Sequence, residues 1–98
     1  MRESDVQKAI IQYLEVKHIF HYRNNSGAYK AEHGSFIRYG AVGSPDIICV
    51  INGQYVGIEV KRPGGRLSPF QKIFAENLVK AGGRYILAFS IDDVIANL

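Results

Sequence analysis

Two apolar, β-branched runs joined by Asn52-Gly53 constrain the fold of this chain more than any other feature. The first run covers residues 47–51 and the second covers residues 54–60. A two-residue type I′ turn needs positive φ at both central positions, and Asn-Gly is a pair well suited to it. The sequence therefore predicts an antiparallel hairpin in which the last residue of the first run lies opposite the first residue of the second.

This hairpin register brings charged side chains together at its open end. Counting back from the turn places Asp46 directly opposite Glu59. Directly opposed residues point to the same face of a sheet, with Cβ atoms about 4.5–5.5 Å apart. Lys61 lies two positions beyond Glu59, so the period of two along a strand places it on that face as well. Local geometry alone therefore predicts two carboxylates and one ammonium group side by side.

Two interpretations of these charges follow from the sequence. A salt bridge at an exposed sheet edge is common and contributes little to stability. However, both strands are apolar on both faces, which is typical of strands covered on both sides. Two acids on a covered sheet repel each other and lose hydration, and one ammonium group offsets this only in part. Carboxylate oxygens suit Mg²⁺ or Mn²⁺, so the pattern favours a metal site over the salt bridge.

Composition excludes several classes of protein. The 98 residues are enough for one small domain with a single core. The one cysteine, Cys49, lies inside an apolar run, so neither a disulfide framework nor a thiolate zinc site is expected. No apolar run is long enough for a membrane span and no signal-peptide pattern follows Met1, so we expect a cytoplasmic protein without a membrane partner.

The chain is basic, with a net charge of +3 and an isoelectric point near 9.1. This balance is a modest indication of a polyanionic partner. If the acids bind metal, a basic rim around them would suit a phosphate backbone. Taken alone, each basic side chain is better explained as a solvated surface charge. The residues that we expect to contact such a backbone are Arg23, Lys30, Arg38, Arg62 and Arg66.

The chain before the hairpin is predicted to hold one helix and one strand. Ser4 with Gln7 three residues later forms a capping-box pattern, which opens an amphipathic helix over about residues 4–17. Residues 19–24 alternate like a strand. The long connection that follows is predicted to pair in part, over residues 35–39.

The chain after the hairpin is predicted to form helix, strand and helix. The N-cap pattern of Ser68 and Gln71 opens a helix that ends at residues 82–83. A strand over residues 84–89 and a short helix capped by Ser90 follow. The order α-β-β-β-α-β-α predicts a single-domain α/β fold, with a mixed sheet and helices on both sides. The side chains of the second helix expected to face inward are Phe70, Ile73, Phe74 and Leu78.

The residues around the acidic pair resemble a known nuclease motif. Pro45-Asp46 followed by Glu59-Val60-Lys61 resembles the PD-(D/E)xK signature of restriction-enzyme-like nucleases. With Gly43-Ser44 before the motif and Leu67-Ser68-Pro69-Phe70-Gln71 after it, the string is similar more narrowly to the VRR-NUC family. The likeness runs from the first helix to the helix after the lysine, which implies one nuclease domain over residues 1–98.

The resemblance implies roles for the acidic pair and its neighbours. Asp46 and Glu59 would hold one or two Mg²⁺ or Mn²⁺ ions, with the backbone carbonyl of Val60 as a further ligand. Lys61 would orient or activate the attacking water and offset the charge that develops on the phosphate. Whether Lys61 acts as a base depends on the balance between its burial and the two acids.

Two further residues match positions that approach the site in this family. Glu3 matches an acidic residue on the first helix and would join the metal ligands, and Gln71 matches a catalytic glutamine after the lysine. Both residues have simpler explanations as well. An acid at a helix start is favoured by the helix dipole, and a glutamine three residues after an N-cap is favoured by capping.

The resemblance implies a metal-dependent DNA endonuclease with a restriction-endonuclease-like core. Minimal members resemble Holliday-junction resolvases that act as homodimers, so the expected substrate is branched or four-way-junction DNA. The context would be DNA repair, a phage or a mobile element. The alternatives are a catalytically silent nucleic-acid-binding module of the same fold and a nuclease directed at RNA. The intact set of Asp46, Glu59 and Lys61 disfavours the silent module, since such a module has no use for acids facing phosphate without metal.

Overall fold

The structure, a computed structural model, describes residues 2–98, and it describes the side chains of all of these except residues 28, 29, 38 and 39. Helices and strands follow one another in the predicted order, with one additional hairpin. The elements are α1 (Glu3–Val16), β1 (Phe20–Arg23), β2 (Gly27–Lys30), β3 (Phe36–Tyr39), β4 (Ile47–Ile51), β5 (Gln54–Val60), α2 (Pro69–Lys80), β6 (Arg84–Ala88) and α3 (Ile91–Asn97).

A four-stranded mixed sheet with the order β1-β4-β5-β6 forms the centre of the fold. β1 and β5 are both antiparallel to β4, whereas β6 is parallel to β5. The predicted mixed α/β fold is therefore confirmed. The pairing predicted for residues 35–39 also occurs, but its partner strand β2, which we did not predict, makes a separate two-stranded sheet with β3. This hairpin lies within the long connection before β4.

The predicted register of the β4–β5 hairpin is confirmed. Ile51 pairs with Gln54 and, at the open end, Ile47 pairs with Ile58. The φ angles of the two turn residues are 50° and 77°, both positive, as a type I′ turn requires. The residues that precede Ile47 and follow Ile58 are consequently brought together.

One face of the sheet carries the hydrophobic core. Helices α1 and α3 pack together over this face. Complete burial of one Ile or Leu side chain contributes about 1.5–3 kcal/mol, so the core anchors the hairpin firmly. Cys49 is fully buried within it as a free thiol, as predicted. The core residues are Val6, Ile10, Leu14, Ile47, Cys49, Val56, Ile58, Val60, Ile86, Ala88 and Val94.

Helix α2 lies over the opposite face, at the side of β5 and β6. The rings of Phe74 and Tyr85 meet there with centroids 6.5 Å apart. The prediction of four inward residues is wrong for Phe70 and Ile73, each of which is 55% exposed. The reason is the rotation of the helix, because Gln71 faces the sheet and residues three, four and seven positions after it share that face.

The N-terminus of α1 differs from its prediction. The helix begins at Glu3 with Arg2 as N-cap, so Ser4 is not the cap. The Arg2 backbone N–H donates to Oδ2 of Asp5 at 3.3 Å, which provides the reciprocal side-chain contact two residues earlier than expected. Within the described residues, 2–98, no helix is long and apolar enough to cross a membrane.

Candidate active site

The two acids of the sequence motif meet at the open end of the hairpin. Asp46 directly precedes β4 and is half-buried, and Glu59 lies in β5 with 3% of its surface exposed. Oδ2 of Asp46 accepts a hydrogen bond from the backbone N–H of Val60 at 2.8 Å. This bond holds the Asp46 carboxylate beside the strand that carries Glu59.

Burial and the neighbouring acid together make Glu59 hard to ionise. Burial is the largest cause, a side-chain hydrogen bond with Asp46 is the second and the negative charge of Asp46 is the third, and together they raise the pKa of Glu59 to about 8. The Lys61 ammonium group acts in the opposite direction but offsets only part of the increase in this pKa. The predicted repulsion between two acids on a covered face is thus present in the structure.

One carboxylate oxygen of Glu59 is held by Gln71. The Nε2 group of Gln71 donates to Glu59 Oε1 at 2.7 Å, while its Oε1 accepts from the backbone N–H of Ser68 at 2.8 Å. Ser68 Oγ in turn accepts from the Gln71 backbone N–H at 3.2 Å. The two explanations of Gln71 are therefore compatible, because its amide oxygen caps α2 and its amide nitrogen reaches the acidic pair.

The other carboxylate oxygen of Glu59 has no hydrogen-bond donor among the described residues when both acids are ionised, whereas a protonated Glu59 carboxyl would be able to donate to Asp46. Glu59 Oε2 and the hydroxyl of Tyr85 are both buried, and neither has a hydrogen-bond partner among residues 2–98. Burial, followed by the charges of Glu59 and Asp46, raises the pKa of Tyr85. The parallel pairing of Gly57 with Tyr85, which places the ring on this face, is not visible in the sequence.

The segment Ser44-Pro45-Asp46 is held from both sides. On one side, the Asn24 side-chain amide donates to Ser44 Oγ at 2.8 Å and to the Pro45 carbonyl at 3.0 Å. On the other side, Pro45 packs against Gly57, where a Cβ atom would lie 2.5 Å from Pro45 Cγ. The sequence predicts Asn24 only as the last residue of a strand, so its contact with this segment is new.

The chain on either side of Lys61 is fixed by backbone contacts. The Lys61 N–H donates to the Ala88 carbonyl at 3.0 Å and continues the β5–β6 ladder. Oε1 of Glu3 accepts from the Arg62 backbone N–H at 3.1 Å. The structure therefore brings Glu3 to the residue after Lys61 rather than to Asp46 and Glu59. Among the described residues no three His, Cys, Asp or Glu side chains are grouped to share one ion.

The predicted phosphate-contacting residues lie on several different elements. Arg62 and Arg66 are exposed in the loop after Lys61, and Arg62 lines an open cleft with Arg2, Glu3 and Ser4. Arg23 is exposed at the end of β1, where its Nη2 donates to Gln7 Oε1 at 2.8 Å. Lys30 is exposed in the separate β2–β3 hairpin, and the side chain of Arg38 lies outside the described residues.

The donor set has the chemistry of a site for a hard divalent cation. Glu59 Oε2 is a buried oxygen without a donor among the described residues, and it lies beside a second carboxylate. Oxygen ligands of this kind suit Mg²⁺ and Mn²⁺, and a cation would remove the cost of two adjacent buried acids. The residues present therefore fit such an ion.

Comparison with known proteins agrees with this geometry. No curated protein matches the chain. A family model described as the VRR-NUC domain matches residues 1–90, which include α1, the acidic pair, Lys61 and Gln71. That domain is of a nuclease type, and a nuclease domain implies DNA binding. The match covers most of the chain, which therefore belongs to the VRR-NUC family.

Proposed function

We propose that this protein is a Mg²⁺- or Mn²⁺-dependent endonuclease that hydrolyses phosphodiester bonds in DNA. The buried carboxylate of Glu59 carries this proposal, because its Oε2 is unpartnered among residues 2–98 and lies next to Asp46. A buried acidic pair is costly for a fold unless a cation or a proton compensates it. Because the chain belongs to a nuclease-type family, we expect the compensating cation to take part in catalysis.

Asp46 and Glu59 would hold the metal, whose chemistry is to polarise the phosphate and lower the pKa of a bound water. Val60 donates its N–H to Asp46, and in a strand the N–H and C=O of one residue point to the same side. This supports the Val60 carbonyl as a further ligand. Glu3 accepts the Arg62 N–H, so its part in metal binding would be indirect, through the loop after Lys61.

Lys61 would orient the attacking water and offset negative charge on the scissile phosphate. It is half-buried and belongs to the same face as Glu59, and its backbone is tied to Ala88. An ammonium group held in a partly dry site stabilises developing charge more strongly than one in water. Gln71 would keep the Glu59 carboxylate in a single orientation through its 2.7 Å bond.

DNA would approach over the loop that follows Lys61. Arg62 and Arg66 are exposed in this loop and are free to contact phosphates on either side of the scissile bond. One chain offers one acidic pair and cuts one strand. Symmetric cleavage of a four-way junction requires two such sites related by a two-fold axis, so we propose a homodimer acting on branched DNA.

The experiment that tests this function compares cleavage of an end-labelled four-way junction with cleavage of a sequence-matched linear duplex. Wild type is assayed with Mg²⁺, Mn²⁺ or EDTA beside Lys61→Ala, and Lys8→Ala, an exposed lysine of α1, is the matched control. We expect metal-dependent paired nicks on the junction, which Lys61→Ala abolishes and Lys8→Ala retains.

Other results of this experiment would identify the alternatives. Equal cleavage rates on both DNAs would contradict junction selectivity but not the nuclease. Binding without cleavage under all metal conditions would indicate a silent nucleic-acid-binding module. Preferential cleavage of a matched RNA strand would indicate an RNA-directed nuclease.

A further inference from the structure

Asn24 makes three hydrogen bonds to three consecutive residues of the segment that ends in Asp46. Its side-chain amide donates to Ser44 Oγ at 2.8 Å and to the Pro45 carbonyl at 3.0 Å. Its backbone N–H donates to the Asp46 carbonyl at 2.8 Å. Among the described residues, Asn24 makes no hydrogen bond to the acidic side chains themselves, so any effect on them is exerted through the backbone.

The chemistry of these contacts determines how the amide is oriented. Proline has no N–H, so the backbone of Pro45 presents only an acceptor to a neighbouring group. The part of the Asn24 side chain that faces it must therefore be the NH₂ group. A carboxylate at position 24 would have no proton for this carbonyl, so aspartate is not an adequate replacement.

The contacts made by Asn24 lie in a well-packed part of the fold. Asn24 is half-buried, Ser44 is 8% exposed and Pro45 is almost completely buried against Gly57. With β5 on one side and Asn24 on the other, the backbone that leads into Asp46 has little freedom to move. On this held backbone, the bond from the Val60 N–H orients the Asp46 carboxylate.

We infer that Asn24 is a positioning residue, which holds the Ser44-Pro45-Asp46 segment so that the Asp46 carboxylate faces a divalent cation together with Glu59. This inference rests on the proposed function and deepens it, because it assigns part of the metal affinity to Asn24, which directly follows β1 and would not itself be a ligand. Groups that orient metal ligands typically contribute about 10–100-fold in affinity.

The test measures Mn²⁺ binding by isothermal titration calorimetry, without substrate, together with the melting temperature in EDTA. The variants are Asn24→Ala, which removes both side-chain bonds, and Ser44→Ala, which removes one of the two acceptors. Asn25→Ala is the matched control, since Asn25 is the adjacent asparagine and is exposed. We expect Asn24→Ala to raise the Mn²⁺ dissociation constant by about 10–100-fold, Ser44→Ala to raise it less, and Asn25→Ala to leave it unchanged.

The possible outcomes separate positioning from simple structural support. If Asn24→Ala lowers the melting temperature but binds Mn²⁺ like wild type, Asn24 is only a structural residue and the inference is wrong. If Asn24→Ala does not fold, Ser44→Ala decides, and an unchanged dissociation constant in that variant overturns the inference. Failure of wild type to bind Mn²⁺ would contradict the proposed function itself, which is a distinguishable result.

Discussion

Among individual residues, Glu59 combines burial with a neighbouring negative charge. It is buried, it lies beside Asp46, one of its oxygens is held by Gln71, and the other is unpartnered among residues 2–98. Its place in β5 brings it beside Asp46, and the packing of α2 supplies the contact with Gln71. A carboxyl group in this position is neutral at moderate pH unless a cation is present, because burial disfavours its ionised form.

The first prediction concerns the pH dependence of stability in the absence of metal. The pKa of Glu59 in the fold is about 8, above its ordinary value of 4.5. The folded protein therefore binds more protons than the unfolded chain between these values, and Glu59 makes the free energy of unfolding decrease as pH rises through this window. We expect Glu59→Gln to remove this decrease, since glutamine cannot ionise.

Urea unfolding in EDTA from about pH 5.5 to about pH 8.5 measures this effect. Glu76→Gln, which replaces an exposed glutamate of α2, is the control and should keep the wild-type slope. Adding Mn²⁺ should stabilise wild type most at the alkaline end, where ionised Glu59 is available to bind it. Parallel curves for wild type and Glu59→Gln would show that Glu59 titrates normally.

Among the elements, α2 connects a local capping pattern to the site. Its N-cap Ser68 and the glutamine at position 71 form the capping box that the sequence predicts. The same glutamine reaches across to β5, so the start of this helix and the acidic pair are joined by one side chain. The rotation of α2 that this contact requires also leaves Phe70 and Ile73 partly exposed.

The second prediction separates the two roles of this helix start. Ser68→Ala removes the cap and should cost about 0.5–2 kcal/mol of unfolding free energy while cleavage is retained. Gln71→Ala should cost a similar amount and also reduce kcat, because Glu59 loses the donor to its Oε1. Urea unfolding and cleavage kinetics measure the two effects. If Gln71→Ala cleaves DNA at the wild-type rate, as Ser68→Ala is expected to do, Gln71 serves only to cap α2.

For the whole molecule, the arrangement of the sheet places the site on the face opposite the core. Helices α1 and α3 cover one face, and α2 covers only part of the other, at β5 and β6. The acidic pair lies on this second face, with exposed arginines in the following loop. A large substrate is thus able to approach the site without disturbing the core.

The third prediction concerns assembly into a dimer. If two chains each cut one strand, mixing wild type with an excess of Lys61→Ala and allowing subunits to exchange should produce dimers with one active site. We expect such mixtures to give single nicks on a four-way junction and to lose paired nicks, with sedimentation velocity confirming two chains per particle. Paired nicks that decline only in proportion to the wild-type concentration would indicate that each chain acts alone.

Features that depend on residues close in sequence could be predicted well. The Asn52-Gly53 turn, the capping box of Ser68 and the membership of the family are examples, and each is confirmed. The capping of α1 was predicted wrongly because the Asp5 carboxylate, at the third helical position, accepts the backbone N–H of Arg2, which makes Arg2 the N-cap in place of Ser4. The β2 strand was missed because its short, glycine-containing run has no clear alternation.

The sequence by itself determined the hairpin register and hence the meeting of Asp46 with Glu59. A two-residue turn leaves only one way to align two strands, and the period of two then assigns every side chain to a face. Tertiary structure alone decided that Asn24 holds the segment before Asp46 and that Glu3 reaches Arg62. These contacts join residues far apart in the chain, and they depend on how helices and strands pack, which no local pattern encodes.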